Sequence, residues 1–181
     1  AEMQASIDMI RAGRGEISPD IGEYKRQLEE LEETGDLSGQ GEVLSALAGS
    51  HTDSGQWAEA IACYKKSLER FDRTGEVYNR GQVLFNMALV YKDMGDLIRA
   101  RTLFDEAMSI FQDLDAQPCI ASAKLNLGII SGQMGRSDEA IELFSQSIGI
   151  LEGLGALPDL CEGYIAAALF NVPIALINLI D

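Results

Sequence analysis

The chain has 181 residues, 46% of them hydrophobic and 24% charged, a balance that excludes disordered and collagen-like classes and suits one domain or a short repeat array. Its 29 acidic residues outnumber 14 basic ones, for a formal charge of −15. A surface this negative repels phosphate backbones and anionic membranes, which excludes nucleic-acid binding and leaves solubility or a neutral or basic protein partner as its meaning. Only four prolines are present and helix formers abound, so an all-α protein is expected.

The N-terminus lacks the basic start and apolar block of a secretory signal, and with Ala as its first residue the chain is expected to be an excised fragment. Cys63, Cys119 and Cys161 are odd in number and widely spaced. They form neither a disulfide framework nor a CxxC metal pair, and reduced thiols point to the cytoplasm.

Self-similarity organises the rest. Residues 1–38 read as a degenerate first unit: Gly15 lies 40 before Gly55, Tyr24 falls on a later aromatic column, and Leu28, Leu31 and Gly35 follow suit. Asp8 and Asp20 stand where later units have small residues. The acidic run Glu29-Glu30 and Glu32-Glu33, with Lys25 and Arg26 nearby, reads as a solvated helix face.

Units 39–78, 79–118 and 119–158 match well. Gly55, Gly95 and Gly135 stand 40 apart, as do Ala60, Ala100 and Ala140, and the aromatics Tyr64, Phe104 and Phe144. Leu68, Met108 and Ile148 coincide, as do Phe71, Phe111 and Leu151. Upstream of each glycine, Leu47, Met87 and Leu127 are followed by Ala48, Ala88 and Gly128. In the middle unit, Val83, Leu84, Met87, Ala88 and Tyr91 form one helical face, and Ala100, Phe104, Ala107, Met108 and Phe111 form a second. Met94-Gly95-Asp96 links them, with a glycine suited to a left-handed helix end and Asp96 placed to cap the next helix. One unit later Ser137 is the expected cap, with Asp138 and Glu139 as an acidic first turn. The alanine column leaves room for two antiparallel helices to approach closely. Each unit can bury its outer face only against a stacked neighbour, so the fold expected is an α-solenoid.

A partial unit spans 159–171, and 172–181 is an apolar tail. Residues 164–180 are apolar at the lower edge of a membrane-spanning length, but Asn171, Pro173 and Asn178 interrupt them, so they read as a buried helix and a tail that packs on the last repeat or joins copies of the chain.

Little points to chemistry. His51 is the only histidine and falls in a packing column, so no metal site or nucleophile–base pair can be built from histidines. Trp57 reads as packing against a turn, and Cys63 as structural. Gly13-Arg14-Gly15 and Gly39-Gln40-Gly41 lack the strand–helix setting and further glycines of a nucleotide loop. No enzyme, no cofactor and no metal is expected.

The pattern resembles the tetratricopeptide repeat, whose Leu-Gly-x-x-Tyr and Ala-x-x-x-Phe segments appear as Met87-Ala88-Leu89-Val90-Tyr91 with Ala100 and Phe104. They recur as Leu127-Gly128-Ile129-Ile130-Ser131 with Ala140 and Phe144, and as Leu47-Ala48-Gly49-Ser50-His51 with Ala60 and Tyr64. The 40-residue length is similar to the long form in kinesin light chains, cell-polarity adaptors and prokaryotic signalling proteins. The resemblance implies a right-handed superhelix of antiparallel helix pairs over residues 1–171. It implies a scaffold or regulatory module that takes a peptide along the concave face of its first helices. That face would show Phe85, Asn86, Leu89, Lys92 and Asp93, then Leu125, Asn126, Ile129, Gly132 and Gln133. Ser45, Ala46, Gly49, Thr52 and Asp53 match them one unit earlier. Asn86 and Asn126 would form an amide ladder along a peptide backbone, which Ala46 breaks, and the apolar Phe85, Leu89, Leu125 and Ile129 would add an exposed binding surface. With Lys92 the only cation there, a clamp for an acidic peptide terminus is not expected. The alternative is a homo-oligomeric assembly built through the array and residues 172–181.

Overall fold

The computed structural model describes residues 21–170; the first-unit positions Asp8, Gly15 and Asp20 and the tail 172–181 lie outside them. Eight helices follow in order: α1 (Ile21–Thr34), α2 (Leu37–Asp53), α3 (Trp57–Thr74), α4 (Val77–Asp93), α5 (Leu97–Asp113), α6 (Gln117–Gln133), α7 (Ser137–Leu154) and α8 (Leu157–Leu169). No strand occurs among the described residues. The described residues form two compact units that divide between Val90 and Tyr91.

The helices break every twenty residues, half the period of the side-chain pattern. Gly35, Gly55, Gly75, Gly95, Asp115, Gly135 and Gly155 all have φ between 51° and 80°. At each turn the chain closes with paired end bonds: after α2, the Gly55 N–H donates to the Thr52 carbonyl at 2.9 Å and Gln56 to that of His51 at 2.8 Å. Asp115 is the only non-glycine among the described residues with this backbone, and its Cβ crowds a conformation that glycine enters freely.

Caps are mixed. The Asp96 carboxylate accepts from the Arg99 N–H, as its position predicts. Ser137 is not a cap: Arg136 occupies that position, and Ser137 is the first helical residue, with Asp138 and Glu139 completing an acidic turn. Those two carboxylates offset the positive helix end without a side-chain cap.

Inside each unit the repeated columns are the core. Ala60, Ala100 and Ala140 are at most 1% exposed, and Tyr64, Phe104, Phe144, Phe71, Phe111 and Leu151 are all buried. In the first unit, α2 and α3 meet so closely that a Cβ on Gly41 would lie 2.7 Å from the Phe71 ring. The Ser67 hydroxyl, fully buried, donates to the Gly41 carbonyl at 2.7 Å. Buried Gln40 donates to the Leu31 carbonyl and accepts from Arg70, fixing the ends of α1 and α3 to α2. In the second unit the α6–α7 pair repeats the scheme: Ser147 donates to the Ala121 carbonyl at 2.8 Å, and a Cβ on Gly128 would lie 2.7 Å from the Phe144 ring. Leu125, Ala140, Phe144, Ile148, Ala166 and Ala167 form one cluster, and the Phe170 ring stacks on Phe144 with centroids 6.1 Å apart.

Candidate functional site

The expected contact face lies along the first helix of each pair. In the first unit, Phe85, Asn86 and Leu89 of α4 are half-buried. On α2, Ala46 and Asp53 are exposed, and a Cβ on Gly49 would meet nothing within 4 Å. Thr52 turns its hydroxyl back to the Ala48 carbonyl at 2.9 Å.

In the second unit, Lys92 at the end of α4 reaches α6. Its ammonium donates to the Asn126 side-chain oxygen at 2.6 Å, and the Asn126 amide nitrogen donates to the Ser122 carbonyl at 3.0 Å. These two contacts fix which way the buried amide points and bring Lys92 and Asn126 together on one face. Asp93 and Gln133 are exposed beside them.

Leu125 departs from expectation. It is not part of an exposed apolar surface but only 8% exposed, in the cluster that α8 completes with Ala166 and Ala167. Ile129 is partly buried against the same cluster, and the Phe170 ring sits over Gly132, where a Cβ would lie 2.5 Å from it. The physical reason is that the next helix stacks on α6 and takes these positions for repeat-to-repeat packing.

The tyrosine column carries an arrangement that the sequence pattern does not announce. The first two members are held by a residue at the start of the following helix, and the third by an arginine of the preceding one. His51 is buried with its Nδ1 2.5 Å from the Gln56 side-chain oxygen. The Arg99 guanidinium lies 5.4 Å from the centre of the Tyr91 ring. Ser131 accepts from Arg101 at 3.2 Å, and Arg101 grips Glu139 through both guanidinium nitrogens at 2.5 and 3.1 Å. Hydrogen bonding by Arg101 holds the Glu139 carboxyl down at about 2, while burial raises Asp105 beside the same guanidinium. Arg101 and Glu139 stand 38 positions apart on different helices. No local motif could have signalled them.

Tyr64 and Cys63 read as packing. Burial pushes Tyr64 up to about 12 and raises the Cys63 thiol, keeping both protonated. Among the described residues, no three His, Cys, Asp or Glu side chains gather where they could hold a metal ion. No described helix is long and apolar enough to cross a membrane.

A family model described as tetratricopeptide repeat matches residues 39–96 and 79–153. No curated protein matches the chain in sequence. Among solved structures, BtubC from P. vanneervenii is 22% identical with a TM-score of 0.70, covering 87% of this chain and 68% of that one. A putative kinesin light chain with TPR-like repeats from Podosopora anserina is 15% identical with a TM-score of 0.68, covering 98% and 93%. A Rap protein complexed with Competence and Sporulation Factor is 18% identical with a TM-score of 0.68, covering 88% of this chain and 50% of that chain, so this chain spans half its length. With the family model covering more than half of the sequence and these repeat folds matching the helix order, the chain belongs to the tetratricopeptide repeat family, a family of protein-binding α-solenoid repeats.

Proposed function

We propose that this chain is a protein-interaction module that holds an extended peptide or protein segment against the exposed face of its first helices, as the scaffold or regulatory part of a larger assembly. Supporting this reading most directly is the Lys92–Asn126 pair: the Asn126 amide, 7% exposed, is held by Lys92 and by the Ser122 carbonyl, with Asp93 and Gln133 exposed beside it. An amide held in place in this way meets a peptide backbone without the entropy cost of ordering a free side chain. Asn86 holds the equivalent repeat position in the first unit and is half-buried. Phe85, Leu89 and Ile129 supply partial apolar contact, and Lys92 and Asp93 supply charge; Leu125 acts through its packing in the cluster beside Ile129.

The partner is neutral or basic. The chain carries −15 and its one cation on this face is already bonded to Asn126. The similarity to a Rap protein solved with a signalling factor accords with a peptide ligand.

The test is affinity purification from the native host with the chain as bait, followed by mass spectrometry. Asn86→Ala with Asn126→Ala should weaken capture of the specific partner about tenfold per lost backbone bond, with helicity unchanged by circular dichroism. Capture of every partner at wild-type levels by the double variant would defeat the reading.

A further inference from the structure

The two asparagines on the first-helix faces are not held alike. Asn126 is 7% exposed, and its amide is gripped at both ends: the Lys92 ammonium of α4 donates to the side-chain oxygen at 2.6 Å, and the side-chain nitrogen donates to the Ser122 carbonyl of α6 at 3.0 Å. Asn86, at the same repeat position, is half-buried. The residue that stands to Asn86 as Lys92 stands to Asn126, 34 positions before it, is Thr52. Its hydroxyl is turned back to the Ala48 carbonyl of its own helix at 2.9 Å. The repeat therefore supplies one asparagine with an ammonium, and gives the other a short hydroxyl engaged with its own helix.

The chemistry of the pair says what the lysine does. An ammonium has donors and no acceptor, so it takes the oxygen end of the amide, and the nitrogen end is left to the Ser122 carbonyl. A bond to a charged donor is also about twice as strong as a neutral one. An asparagine without such a contact turns broadly about its last side-chain bond and must be ordered when a partner arrives. Ordering one side chain lowers affinity about three- to tenfold. Lys92 removes that cost at Asn126, and Thr52 leaves it in place at Asn86.

We propose that Lys92 is a positioning residue: it acts on a bound peptide through Asn126, which makes Asn126 the stronger of the two asparagine contacts and Asn86 the weaker. This rests on the reading of the first-helix face as a peptide site. It adds that the effect of Lys92 on binding is carried by the order it imposes on a neighbouring amide, beyond the charge it brings to the face.

The probe is a peptide selected on the immobilised full chain from a random phage-displayed library, with its affinity for each variant measured by calorimetry. Asn126→Ala should weaken it about tenfold, and Asn86→Ala by less. Lys92→Met should weaken it about three- to tenfold in the wild-type chain and leave it unchanged in the Asn126→Ala chain. That loss should persist in high salt, where a charge presented directly to the peptide would be screened. In proton–nitrogen correlation spectra of the unbound chain, Lys92→Met should move the Asn126 side-chain amide pair toward the position of solvated amides and leave the backbone signals of α7 in place. That signature separates lost positioning from lost fold. A Lys92→Met variant that weakens binding equally with and without Asn126, or that leaves the Asn126 amide pair unmoved, would overturn this proposal alone. So would an Asn86→Ala loss as large as that of Asn126→Ala. A library that yields no peptide, or a peptide indifferent to both alanine variants, would defeat the peptide reading itself and this proposal with it.

Discussion

The α2–α3 and α6–α7 pairs use one seam in two ways. In both, a serine on the second helix donates to a backbone carbonyl of the first, Ser67 to Gly41 and Ser147 to Ala121. In α2–α3 the missing Cβ is at Gly41, under Phe71, while position 48 keeps its alanine. In α6–α7 the missing Cβ has moved seven residues along, to Gly128 under Phe144, while position 121 has alanine and position 151, the counterpart of Phe71, has become leucine. At one crossing the two pairs trade a methyl group on one helix against a ring on the other, with glycine and phenylalanine at 41 and 71 and alanine and leucine at 121 and 151. At that crossing column identity matters less than the summed volume.

The largest effect expected is from removing the rings. Phe144→Ala and Phe71→Ala should each destabilise by about 3–5 kcal/mol in urea unfolding, since both rings are at most 2% exposed. A large difference between them would mean that the two seams are not equivalent.

Next comes the exchange itself. Gly128→Ala should cost about 1–2 kcal/mol, as overpacking against Phe144 outweighs the better helix propensity of alanine. Combined with Phe144→Leu, it should cost less than the sum of the two single changes, because the smaller side chain yields room for the methyl. Strict additivity in that double-mutant cycle would break the volume-trade explanation.

A smaller effect, of opposite sign, comes from the turns that precede these seams. Gly35 leads into α2, whereas Asp115 leads toward α6 with φ at 51°. Asp115→Gly should raise stability by about 0.5–1 kcal/mol, the strain relieved less the added freedom of the unfolded chain. Thermal unfolding of the single variant measures it.

The smallest concerns acid. Glu139 is clasped by Arg101, whereas its counterpart Glu59 is exposed and Ile21 stands where Arg101 stands. Because the folded-state value of Glu139 is depressed to about 2 from 4.5, its contribution is present above 4.5 and is lost as pH falls toward 2. Glu139→Gln should flatten the fall in stability across that window, and Glu59→Gln should not.

Much of this architecture is legible in the chain itself. The alanine, aromatic and glycine columns recur at 40 because each marks a crossing or a turn that every pair must make. The turn at Asp115 escaped the pattern because aspartate replaces the glycine that marks the others, although its backbone is the same. Ser137 looked like a cap because its neighbours are acidic, yet the helix begins one residue earlier than a cap there would require. Leu125 was misread for a different reason: a single helix face does not reveal that the next helix lies over it. The Lys92–Asn126 and Arg101–Glu139 contacts were equally hidden, since each joins helices a repeat apart and depends on their stacking geometry.

Hydrogen exchange of the chain with and without its purified partner tests the functional reading most directly. Protection should rise in the first-helix segments 45–53, 82–93 and 122–133 and stay unchanged over α3, α5 and α7. Protection confined to those second helices, or to α8 alone, would contradict it.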